Sequence, residues 1–150
     1  LKERQHRSTL VFATTRLSAR LLAETLELAG QLGLLGPLGE VGARGEKRVD
    51  FVVGVGESRG ASGSVASTSA TQQQERLEQL KRGTLRVLVS TDVLAEGTDV
   101  PSCACVVRFD PPTSYVNYVQ GLGRVRDLEG EYVEMRLDGT AEDGKKAKWL

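Results

Sequence analysis

Five short apolar runs recur along the chain, at Thr9–Ala13, Val49–Val53, Arg86–Ser90, Cys103–Phe109 and Glu131–Leu137, and stretches of helical spacing separate most of them. This alternation constrains the fold more than any other feature. A strand covered on both faces reads as a dense apolar run with little polar alternation. Strands that alternate with helices imply right-handed crossovers and a parallel, doubly wound sheet. The expected fold is an α/β domain whose parallel sheet, of about five or six strands, carries helices on both faces.

The segments between the runs fill in this frame. Lys2 to Ser8 is polar and charged and reads as an arm from an upstream domain, so the domain is bounded as 1–8 arm, 9–137 globular and 138–150 charged tail. Thr14-Thr15-Arg16 closes the first run. Leu17, Leu21, Leu22, Leu26 and Leu28 follow at mostly helical spacing, to a stop near Gly30. Gly30 to Gly45, with Pro37, reads as a loop. Gly54-Val55-Gly56 ends the second strand, and the serine- and glycine-rich stretch Glu57–Ala70 reads as a mobile surface loop. Thr71 is the expected N-cap of a helix over Gln72–Lys81 that stops at Gly83. Asp92 to Gly97 predicts a short helical turn, and Ser114 caps a helix running to about Arg126. The tail from Asp138 is expected to fray, with Trp149 as its single anchor.

Composition narrows the partners only slightly. Twenty basic and twenty acidic residues cancel, so no basic average marks a nucleic-acid surface, although a few placed contacts suffice to hold phosphates. Cys103 and Cys105 are too close in sequence for an ordinary disulfide and too few for a structural zinc site, which predicts buried core thiols. No apolar run approaches a membrane span. His6 lies in the polar arm and is expected to be exposed. Tyr115 and Tyr118 are expected to pack rather than stack on bases.

Two constellations carry chemistry. In Val87–Pro101 a strand delivers Ser90 and Thr91 to the start of a helical turn, a place where hydroxyls and backbone N–H groups receive phosphate. Gly97 then permits close backbone approach, and Asp99 is held by the following Val-Pro. In Tyr118–Arg126, Arg124 and Arg126 lie near the end of a capped helix, with a glycine just before, and suit a developing phosphate charge. On that helix Gln120 and Arg124 lie four apart and share a face. Taken singly, each also fits an ordinary strand–turn or a solvated helix end. Together with the TTR and VVRFDPP segments, they stand in one order at compact spacing. Polar residues gather after the first, third and fourth strands, at the carboxyl ends where open α/β sheets place their sites.

In this ordered set the chain resembles the C-terminal RecA-like domain of superfamily 2 helicases, and more narrowly the group containing Dicer and the innate RNA-sensing helicases. The resemblance covers Thr9 to Met135. It implies that ATP, with Mg²⁺ held by the N-terminal RecA-like domain of the same protein, binds between the two domains. Neither a GxxxxGK[ST] loop nor a DExx box occurs here, so the isolated domain is expected to be inactive as a hydrolase. The resemblance assigns catalytic roles to Arg124, Arg126 and Gln120, with Gly97, Asp99, Arg124 and Arg126 near the nucleotide. It assigns contacts to double-stranded RNA to Arg16, Gln73, Thr91 and Glu96. It further implies an intracellular protein, cytoplasmic or nuclear, with downstream RNase III domains as an additional expectation and no membrane.

Val55, Ala95 and Leu122 depart from the group, which commonly has polar residues there; each departure removes a contact on the RNA or interdomain side. Three other readings stay open at this point: a DNA translocase or helicase of the same superfamily, a degenerate RNA-binding or docking module without turnover, and an unrelated α/β domain.

Overall fold

The computed structural model describes residues 8–35, 47–54, 67–94, 99–126 and 129–136. The expectations for His6 and most of the arm, for Val55, for most of the Glu57–Ala70 stretch, for Ala95, Glu96 and Gly97, and for the tail with Trp149 lie outside these residues.

The elements in chain order are β1 (Thr9–Phe12), α1 (Arg16–Gln31), β2 (Val49–Val52), α2 (Ala70–Arg82), β3 (Val87–Ser90), a single 3₁₀ turn (Asp92–Leu94), β4 (Cys105–Arg108), α3 (Tyr115–Leu122) and β5 (Glu131–Glu134). The five strands form one parallel sheet in the order β2-β3-β1-β4-β5. The connection from β1 runs toward the β2 edge and that from β4 toward the β5 edge, so the topology switches between β1 and β4.

Strand alternation sorts the core into two layers. Leu10 pairs with Leu88 and Val106 in register; these residues, with Phe12 and Val52, face Leu77 and Leu80 of α2. The intervening residues Val11, Val49, Val87 and Val89 face Ala19 and Ala23 of α1. Side chains one apart along a strand point to opposite faces, which is why apolar runs without alternation are needed. The small residues on α1 bring that helix close to the sheet. Each fully buried Leu or Phe here contributes about 1.5–3 kcal/mol of transfer free energy.

Several local boundaries differ from the sequence expectation. Ser69, not Thr71, caps α2: its hydroxyl accepts from Gln72 N at 3.2 Å, while the Gln72 side-chain oxygen accepts from Ser69 N at 3.0 Å. This reciprocal capping box satisfies two end donors at once, and it makes Ala70 helical. Gly83 ends α2 at φ 74°, a left-handed conformation that glycine adopts without a Cβ clash.

α3 stops at Leu122, short of Arg126. Gly123 N still bonds to Val119 O, but Arg124 N and Val125 N bond to Gly121 O and Leu122 O in tight turns. Val125 then bridges Cys103 in parallel, which ends helical geometry. Gln120 and Arg124 are therefore not related by a continuous helix. Cys103 lies in that isolated bridge, ahead of β4, and so does not share a strand with Cys105; Cys103 is buried whereas Cys105 is half-buried.

Candidate functional site

The carboxyl edge of the sheet is built from the segments after β1, β3 and β4. Thr15 caps α1, its hydroxyl accepting from Ser18 N at 3.0 Å, and Arg16 is the first helical residue, half-buried. Thr14 N donates to Asp110 Oδ2 at 2.6 Å, spanning the switch between β1 and β4. Thr91 is half-buried beside β2, its N–H reaching Val52 O at 3.4 Å. Ser90 departs from expectation. It is 0% exposed and its hydroxyl donates to Thr91 O at 2.7 Å, so that oxygen is turned inward and does not face an incoming phosphate. Gln73, on α2, spends its amide donors on Val53 O (3.3 Å) and Thr68 O (3.1 Å), tying the end of β2 to the entry of α2.

The second group lies at the opposite, amino edge. Val100 is buried and anchors the segment in which Asp99 is exposed. Cys103 N donates to Arg124 O at 3.0 Å, so the chain leading from Asp99 into β4 runs beside the chain leaving α3. Arg124 is half-buried; Arg126 is exposed, with Nε donating to Gly123 O at 3.4 Å. Gln120 is half-buried, and its Oε1 is buried with no hydrogen-bond partner among the described residues. An amide oxygen in that condition loses its hydration without compensation, and a donor from outside the described residues would satisfy it. An orphaned acceptor followed by two guanidinium groups can receive a hydrogen-bond donor and an anion side by side. Among the described residues no group of three or more His, Cys, Asp or Glu could hold a metal ion.

Behind the carboxyl edge lies a cluster that motif reading passed over. Arg108, the last residue of β4, is 2% exposed. Its Nη1 donates to Asp92 Oδ1 and its Nη2 to the Asn117 carbonyl, each at 2.5 Å. The guanidinium also lies 4.3 Å over the Phe12 ring. Asn117 Nδ2 donates to the other Asp92 oxygen, Oδ2, at 2.9 Å and to Thr113 Oγ1 at 2.9 Å. The available signal was an arginine at the end of an otherwise apolar strand, since a buried cation requires a partner. Burial pushes the Tyr132 hydroxyl above its usual range, and the nearby Arg108 charge opposes that shift. Tyr118 meets Tyr132 edge-on at 5.7 Å, as expected of a packing residue. Tyr115 is instead exposed, with its ring 6.3 Å from that of Tyr118.

The arrangement matches known proteins. The profile of the helicase conserved C-terminal domain family matches residues 59–127. The fold resembles the C-terminal domain of the DEAD-box protein Dbp5, with a TM-score of 0.64 and 21% identity over 94% of this chain and 67% of that one. It also resembles the Pyrococcus furiosus Hef helicase domain, with a TM-score of 0.63 and 22% identity over 98% of this chain and 25% of that one. The fold is that of a RecA-like helicase C-terminal domain, and residues 59–127 carry the family match.

The proteins this chain is similar to include Dicer proteins. It is 34% identical to Dicer-like protein 2 of Phaeosphaeria nodorum over 94% of this chain and 10% of that protein. It is 51% identical to endoribonuclease Dcr-1 of Drosophila melanogaster over 41% of this chain and 3% of that protein. The chain thus spans a tenth or less of either relative. No helix among the described residues is long and apolar enough to cross a membrane.

Proposed function

We propose that this domain is the second RecA-like half of an ATP-dependent double-stranded-RNA helicase or translocase in a Dicer-like protein. An N-terminal RecA-like domain upstream, holding Mg²⁺, completes the site, and RNase III domains lie downstream. One observation carries the reading. The Cys103–Val125 bridge joins the segment after Asp99 to the segment bearing Arg124 and Arg126, so residues that the resemblance assigns to the nucleotide arrive on adjacent backbones.

The nucleotide supplies the phosphoryl group whose transfer to water drives the motor. Arg124 and Arg126 offset charge on the phosphoryl oxygens, an effect worth about a thousandfold or more in comparable enzymes. Gln120 orients the water through its unpartnered oxygen. Asp99 and Gly97 border the ribose and the arginine pair. Arg16 and Thr91, on the far edge, contact the RNA backbone, as does Glu96, with Gln73 supporting the rim of that surface. Contacts to phosphates and sugars are indifferent to sequence and weaken steeply with salt, and A-form shape with the 2′-hydroxyl selects RNA.

ATP hydrolysis by the parent protein, measured alone, with double-stranded RNA and with double-stranded DNA, tests this proposal. Stimulation by RNA that disappears in Arg124→Ala is the expected result. Stimulation by DNA alone would assign a DNA translocase, and no hydrolysis under any condition would assign a binding module without turnover.

A further inference from the structure

We infer that Arg108 is a positioning residue that couples the two edges of this domain, so that contact with RNA at one edge changes turnover at the other. The inference rests on the RNA-motor reading above and extends it to a residue outside both sets of contacts.

Geometry carries the inference. Thr91 and Asp92 form the turn after β3, at the carboxyl edge. Arg124 and Arg126 leave α3 at the amino edge, beside Cys103. Arg108 touches the turn and the helix that leads to the pair: one guanidinium nitrogen holds Asp92, the other holds the carbonyl of Asn117 in the first turn of α3. The same Nη2 lies 3.0 Å from the position a Cβ would take on Gly121, one turn further along α3. Gly121 therefore admits the guanidinium flat against the helix, just ahead of Gly123 and the arginine pair. Asn117 closes a second link to Asp92 through its side chain. Both Asp92 oxygens and both terminal nitrogens of Arg108 are thus committed to this junction.

Such a junction resists independent movement of its parts. A displacement of the Thr91–Asp92 turn must either carry α3 with it or leave a buried cation without its carboxylate, which is strongly unfavourable. The fork geometry matters, because a planar guanidinium serves two directed acceptors at once and an ammonium is a single point charge. Arg108→Lys keeps the charge and removes the fork.

The test uses the parent protein with both helicase domains, and its readout is the ratio of ATP turnover with saturating double-stranded RNA to turnover without it. Partial misfolding lowers both rates by one factor and leaves the ratio unchanged; loss of coupling lowers the ratio. For Arg108→Lys the ratio is expected to fall by about threefold or more, the range in which coupling-network substitutions act, while the RNA dissociation constant stays within about twofold. Asn117→Ala retains the Arg108–Asp92 pair and is expected to lower the ratio in the same direction, which carries the test if the lysine variant does not fold. An unchanged ratio in both variants, in a protein that RNA does stimulate, overturns the coupling role alone. Absence of RNA stimulation in the unsubstituted protein overturns the motor reading and this inference together.

Discussion

Asp110 accepts a 2.6 Å hydrogen bond from the backbone N–H of Thr14, although 96 residues separate them in the chain. The contact joins the ends of β1 and β4, the two strands between which the connections diverge. It is charge-assisted but open to water on one side, so its net worth is that of an ordinary hydrogen bond. Asp110→Ala is expected to lower unfolding free energy by about 1 kcal/mol, read as a shift of the denaturant midpoint at constant slope. Asp110→Asn, which keeps an acceptor, should lose less.

The entry to α2 gives a sharper local test. Ser69→Ala removes the hydroxyl that receives Gln72 N and dismantles the capping box, for a loss of about 1 kcal/mol. Thr71→Ala, at the second helical position and exposed, should change stability by less than about 0.5 kcal/mol. Equal losses in the two variants would refute the assignment of the cap.

Cys103 makes stability fall at alkaline pH. Its thiol is 1% exposed, and burial raises its pKa from 9.0 to about 11 against a smaller opposing pull from Ser8 and Arg124. Below pH 9 the thiol is protonated in both states and its contribution is intact. Between pH 9 and about 11 the unfolded chain releases the proton and the folded one does not, so the unfolded state gains. The resulting loss is at most about 3 kcal/mol, and it should be smaller in Cys103→Ala when unfolding is followed from pH 8 to 11. Cys105 is raised as well, by burial first and by Glu131 second.

Arg16→Ala should weaken RNA binding by a similar factor for unrelated duplex sequences. Its loss should also flatten the slope of log affinity against log salt by about 1, as expected for one phosphate contact. Fluorescence anisotropy across a salt series checks both. An unchanged slope would remove Arg16 from the RNA surface and leave its role at the start of α1 structural.

Most of the architecture was legible in the sequence, because it depends on local patterns. The five runs became the five strands; the dense character of β1 and β3 follows from burial on both faces, whereas β5 is partly exposed and carries a glutamate at each end. Helix ends were harder to read. Both Ser69 and Thr71 are competent caps by residue type, and only the reach of Gln72 back to Ser69 N decided between them. α3 was overextended in the sequence because nothing local forbids helix through Arg126; the bridge to Cys103 ends it.

By itself the sequence determined the strand–helix alternation, the parallel sheet and the ordered motifs, since residue periodicity and turn chemistry act between near neighbours. Only the tertiary structure decided which residues meet across the fold. It set the Thr91–Asp92 turn and the Arg124–Arg126 pair at opposite edges, turned Ser90 inward, and gathered Arg108, Asp92 and Asn117 into one junction. These are contacts between segments 9 to 25 residues apart, and strand order selects them. A lone arginine in an apolar run announces that its charge must be paired, but only the packed sheet and helix supply the partner.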